Sequence, residues 1–160
     1  MRLNHEQAKA LQQILAAELH CAQEFKVRLD REFEALKGKE PELIRSISEE
    51  KQSLTLQMQQ YLQARNRLLS QWAIPQGNEG MQQLLAANPT SGCHDFWDKL
   101  IQLAHHLREQ NEINGGIIFM GQRHAKQALE ILSGKSHDKN TYSRKGESML
   151  GSLAHTIAKA

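Results

Sequence analysis

Two long stretches of this chain each carry an apolar stripe broken at two places by a charge, and these four breaks limit the fold more than any other feature. Ala8, Leu11, Leu15, Ala22, Phe25, Leu29 and Leu36 recur at the threes and fours of a helix face, with Glu18 and Glu32 on the same stripe. Ile44, Ile47, Leu54, Met58, Tyr61, Leu68 and Trp72 repeat the pattern, interrupted by Lys51 and Arg65. In an antiparallel helix pair the position numbers of facing residues add to a constant, and Glu32 with Lys51 and Glu18 with Arg65 both give 83. One alignment therefore sets each acid opposite a base. It also sets Leu36 by Ile47, Leu29 by Leu54, Phe25 by Met58, Ala22 by Tyr61, Leu15 by Leu68 and Leu11 by Trp72. A slipped register strands a charge against leucine at a cost of about 3 kcal/mol. The competing arrangement turns all four charges outward on their long side chains.

Local signals bound these helices. Asn4 with Gln7 three residues on forms a capping pair, Lys37-Gly38 offers a C-terminal cation and a left-handed cap, and Pro41 suits the first turn of the next helix. The second helix is expected to stop near Trp72, before Ile74-Pro75-Gln76-Gly77. Asn78 is then placed to cap a short helix through Met81, Leu84 and Leu85 that Asn88-Pro89 ends and that packs over one end of the longer pair. Thr90, Ser91 and Asp95 are all candidates to cap the next helix, and Ser133-Gly134 is expected to close it. Its stripe runs through Phe96, Leu100, Leu103, Leu107, Gln110, Asn114, Ile117, Gly121, Ala125, Ala128 and Leu132. In its middle, Gly115-Gly116 weakens a helix by about 1 kcal/mol per glycine relative to alanine, which points to a kink or a close helix contact.

The pattern predicts an all-α fold: an antiparallel bundle of three long helices, a helical hairpin plus a third helix, with a short connecting helix and a flexible amphipathic C-terminal tail. Residues 1–134 form the bundle and 135–160 a mobile segment. Only 5% of residues are aromatic and 3 are proline, which favours helices over sheets. Residues 1–133 hold 15 Lys and Arg against 16 Asp and Glu, so the excess of base sits in the tail, where Lys135, Lys139, Arg144, Lys145 and Lys159 outnumber Asp138 and Glu147. Met149, Leu150, Leu153 and Ile157 make one narrow apolar stripe there, too short to be a stable helix alone, so it either docks on the bundle or meets a partner.

Composition and spacing also exclude function classes. The charge of +2 and one tail aromatic, Tyr142, are too little for a nucleic-acid platform. Eight histidines show neither His-x-x-x-His nor Glu-x-x-His spacing, and Cys21 and Cys93 form no Cys-x-x-Cys motif, so no metal or other cofactor is expected. No phosphate loop or catalytic triad is legible, which predicts a protein that is not an enzyme. Sparse cysteines, no recognisable cleavable signal and no apolar stretch of membrane-spanning length predict a cytoplasmic protein without membrane insertion.

At Asn111-x-x-Asn114-Gly115, with Ile117-Ile118 following and Leu129 to Gly134 closing the helix, the sequence resembles the FlgN family of flagellar export chaperones. Arg65-x-Arg67-Leu68-Leu69, Phe96-Trp97, Tyr142 and Gly146 extend the resemblance over most of the chain. It implies binding of hook-filament junction proteins of the FlgK and FlgL type and their delivery to the flagellar type III export apparatus, with no catalytic group. On this resemblance Asn111, Asn114 and Gly115 are motif positions expected to fix helix packing, the glycine by admitting a close neighbour and the amides by forming a polar layer. Partner binding is expected at Met149, Leu150, Leu153 and Ile157, with Tyr142 contacting either cargo or the export gate. The alternative is a self-associating coiled-coil adaptor unrelated to flagella; whether the chain forms a homo-oligomer stays open.

Overall fold

The computed structural model describes residues 1–132, and every regular element among them is a helix: α1 His5–Gly38, α2 Pro41–Gln71, α3 Gly77–Ala86 and α4 His94–Leu132. Met1–Gly121 is one compact unit, and the residues of α4 beyond Gly121 belong to a second, described as far as Leu132. The Ser133-Gly134 cap and the tail residues lie outside the described residues.

The α1 start is the reciprocal cap read from sequence. The Gln7 backbone N–H donates to Asn4 Oδ1 at 2.8 Å and the Asn4 N–H donates to Gln7 Oε1 at 3.0 Å. Its end differs from expectation, since Gly38 is still helical and the left-handed residue is Lys39, at φ 54°. Pro41 holds Glu40 out of the helical region, at φ −102° and ψ 83°, and the reversal falls on Lys39 just before it, one residue later than expected. The α2 helix ends at Gln71, with Trp72 as its cap and Ala73 left-handed at φ 56°, and Ile74 N–H closes back on Leu69 O at 2.9 Å.

Two other boundary expectations are corrected. Gln76 flanks α3, with no side-chain cap, and Asn78 lies inside the helix. Gly80 allows this early start: a Cβ there would sit 1.6 Å from Pro75 O, so only glycine lets α3 fold this tightly against the turn before it. At α4, His94 is the first helical residue and the Cys93 carbonyl accepts the first bond, from Trp97 N–H at 3.0 Å. Neither Thr90 nor Asp95 flanks it, and Ser91 Oγ instead accepts from Cys93 N–H at 3.4 Å.

The α1 and α2 helices form the antiparallel hairpin with both ion pairs in the register read from sequence. Arg65 Nη1 lies 2.6 Å from Glu18 Oε2, and Lys51 Nζ lies 2.8 Å from Glu32 Oε2. All four charges turn inward. The main core lies at one end of the hairpin, where Leu11, Leu15, Leu19 and Ala22 of α1 meet Leu69 of α2, Met81, Leu84 and Leu85 of α3, and Cys93, Trp97 and Leu100. Leu29, Ala35 and Ile47 are buried farther along. The α2 stripe is less covered than its pattern suggests: Leu54, Met58, Tyr61, Leu68 and Trp72 are half-buried, and Leu69 takes the place in the core expected for Leu68. On α4 the stripe is buried or half-buried from Phe96 to Ile117, while Gly121, Ala125, Ala128 and Leu132 are exposed.

Candidate functional site

Two polar layers cross the helical body. The first holds Glu32, Lys51, Asn111 and Asn114. Asn114 is 1% exposed, and its amide donates to Leu29 O at 2.9 Å and to Glu32 Oε2 at 2.8 Å while accepting from Gln110 Nε2 at 3.0 Å. Lys51 Nζ reaches both Glu32 oxygens and, at 3.4 Å, Asn111 Oδ1. Every hydrogen-bonding atom of the Asn114 side chain is engaged, so the layer fixes where α4 meets the hairpin. Asparagine suits this place because it donates to a carbonyl and a carboxylate at once without bringing a second charge.

The second layer holds Glu18, Arg65 and Trp97. The Arg65 guanidinium lies over the Trp97 ring, 4.8 Å from its centroid. Glu18 Oε1 and Arg65 Nε have no hydrogen-bond partner among the described residues. Burial pushes the Glu18 carboxyl above its usual range, and the attraction of Arg65 offsets only part of that. Burial likewise lowers Arg65, with Glu18 opposing. Both groups are held where water would serve them better, the signature of a pair that sets alignment rather than adding stability.

Beside this layer a slot opens between α2 and α4, enclosing about 320 Å³. Met58, Leu62, Trp97, Leu100 and Ile101 make its walls apolar, with Thr55, Gln59 and Ala104 at the sides and Glu18 and Arg65 in its lining. Sequence reading missed the slot. The uncovered α2 stripe is its other side: Met58 reads as core in the pattern and lines a groove in the structure.

The motif positions separate. Asn111 and Asn114 both place side chains in the first polar layer, whereas no close neighbour stands at Gly115. A Cβ at Gly115 or Gly116 would meet no described atom within 4 Å, and both glycines are exposed in an unbroken helix. Around them Ile113, Phe119 and Met120 are exposed at 51%, 63% and 60%. Within the second unit Leu129, Ile131 and Leu132 are exposed as well. Tyr142, Met149, Leu150, Leu153 and Ile157 lie outside the described residues.

Both cysteines are free and buried, with their thiols pushed up chiefly by burial. Among the described residues no helix is long and apolar enough to cross a membrane, and no cluster of three or more His, Cys, Asp or Glu is placed to hold a metal. The family model described as FlgN protein matches residues 1–148. No curated protein and no solved structure matches the chain.

Proposed function

The chain belongs to the FlgN family of flagellar export chaperones, and from that premise we propose that it binds hook-filament junction proteins of the FlgK and FlgL type in the cytoplasm, prevents their premature assembly and delivers them to the flagellar type III export apparatus. The family match over residues 1–148 is the observation that carries this reading. Such a role needs masking contacts rather than catalysis, and this is a chaperone family, not an enzyme family. A subunit that polymerises outside the cell must have its apolar helical surface covered inside it, and helix-in-groove contacts do this.

In this reading the three long helices work as one antiparallel bundle. Support comes from two pairs of contacts: Arg65 with Trp97 and Lys51 with Asn111 have position numbers adding to 162 in both cases, as expected where α4 runs opposite to α2. The client is held by the 135–160 segment through Met149, Leu150, Leu153 and Ile157, with Tyr142 a further contact for client or export gate. Its test is co-purification of each junction protein with the full chain and with a chain lacking Ser136–Ala160. The expected result is capture by the full chain and loss of capture on truncation, with the thermal melt of the helical body unchanged. Capture by the truncated chain would move the site to the helical body, and no capture by the full chain would overturn the reading.

A further inference from the structure

The α4 helix carries an exposed face to which neither the core nor the polar layers give a use. The helix is unbroken from Glu109 to Lys126, and the line through Glu112 and Arg123 runs nearly opposite the buried Asn114. Glu109, Glu112, Gly116, Phe119, Arg123 and Lys126 all lie within about 50° of that line, and every one is exposed. Ile113 and Met120 share one flank of it, and Gly115 lies on the other. Ile113, Phe119 and Met120 are the large apolar side chains that α4 exposes before Gly121. Apolar exposure gathered on one face and bordered by charge marks a contact surface.

We propose that this face joins two copies of the chain, α4 against α4 and antiparallel, about a two-fold axis level with the Ile117–Ile118 step. Two independent observations place the axis there. The first is charge: acids lie before the axis and bases after it, and Glu109 with Lys126 and Glu112 with Arg123 both have position numbers adding to 235. Reversing the face on itself sets each acid level with a base of the second copy, the condition for an isologous contact. A parallel pair would instead set Glu112 against Glu112 and Arg123 against Arg123. The second observation is shape. Gly116 with Phe119 gives the same 235, so the ring of each copy comes level with a glycine of the other. A Cβ at Gly115 or Gly116 would meet nothing within 4 Å, which leaves the backbone there open to a close neighbour. A two-fold contact brings like flanks together, so Phe119 leans over the glycine pair of the second copy while Met120 meets its Ile113. Glycines that have no packing role in one copy thus receive one from two. The contact from Glu109 to Lys126 is about 27 Å long and only one helix wide, so the dimer is concentration-dependent rather than obligate. The inference does not rest on the client reading.

Sedimentation of the full chain over rising concentration tests it. A monomer–dimer equilibrium is expected, with Phe119→Glu and Gly116→Leu each raising the dissociation constant by about tenfold or more. Both positions are exposed, so circular dichroism should show helix content undiminished. Leucine favours a helix over glycine, so loss of the dimer in Gly116→Leu reports the contact and not the fold. Glu112→Lys weakens the dimer, and adding Arg123→Glu to it restores association, because a two-fold contact re-pairs the exchanged charges. Chains with Glu112→Cys crosslink to chains with Arg123→Cys through a short thiol-reactive linker, whereas Gln23→Cys on α1 crosslinks to neither; the native thiols are buried. A chain that stays monomeric at every concentration, a dimer indifferent to Phe119→Glu, or a charge exchange that fails to restore association would each overturn the proposal.

Discussion

Glu18 and Arg65 are 3% and 7% exposed, and each leaves one polar atom unpartnered, so their bond at 2.6 Å is set against a large loss of hydration. Breaking such a pair costs more than never having it. Glu18→Gln is therefore expected to destabilise by about 3–5 kcal/mol, whereas Glu18→Leu with Arg65→Met leaves stability within about 1 kcal/mol of the wild type or raises it. Urea unfolding of the singles and the double measures the coupling. The same pair gives a pH signature. Burial holds the Glu18 carboxyl above its ordinary value in the folded chain, so its contribution is present in full below that ordinary value and is lost as pH rises through the folded one. Acidification from neutral pH through that interval should stabilise the wild type relative to the double variant. Asn114 differs because its bonds are complete. Asn114→Ala leaves the Leu29 carbonyl and one Glu32 oxygen short of a donor and is expected to cost about 1–3 kcal/mol in the same assay.

At the scale of the helices, glycine has opposite meanings in α3 and α4. Gly115 and Gly116 sit in unbroken helix facing open space, so Gly115→Ala and Gly116→Ala are each expected to stabilise by roughly 0.5–1 kcal/mol in a thermal or urea melt. Gly80 has no such freedom. A methyl group there would overlap Pro75 O, and Gly80→Ala should displace the turn and cost more than about 2 kcal/mol, read by unfolding and by loss of α3 amide protection. From sequence alone the conspicuous glycine pair invited a packing role and Gly80 drew no notice. Both readings reverse because a glycine's purpose depends on what stands where its Cβ would be, and only the fold supplies that.

For the molecule as a whole, Asn88 joins parts that no local pattern connects. Its Oδ1 accepts from Leu3 N–H at 2.7 Å, and its Nδ2 donates to Met1 O at 3.0 Å and to Leu84 O at 2.7 Å, tying the N-terminal segment to the end of α3. Asn88→Ala should lower stability by about 1–3 kcal/mol and speed hydrogen exchange at Leu3, a site 85 residues away in sequence. In the sequence, Asn88-Pro89 reads as a helix terminator and nothing more.

Helix order, most helix boundaries and the hairpin register are local or pairwise properties. A 3.6-residue period, a capping pair and two acids matched to two bases state them in the chain itself, and Glu18 with Arg65 and Glu32 with Lys51 meet as their positions require. Placing α4 against the hairpin was decided in three dimensions, because its stripe of small and apolar residues is compatible with many offsets and no charge pattern selects one. Asn114 reaching the Leu29 carbonyl, the slot left open beside Met58 and the empty space around Gly115 all follow from that placement, since how far each side chain is covered depends on a neighbour dozens of residues away.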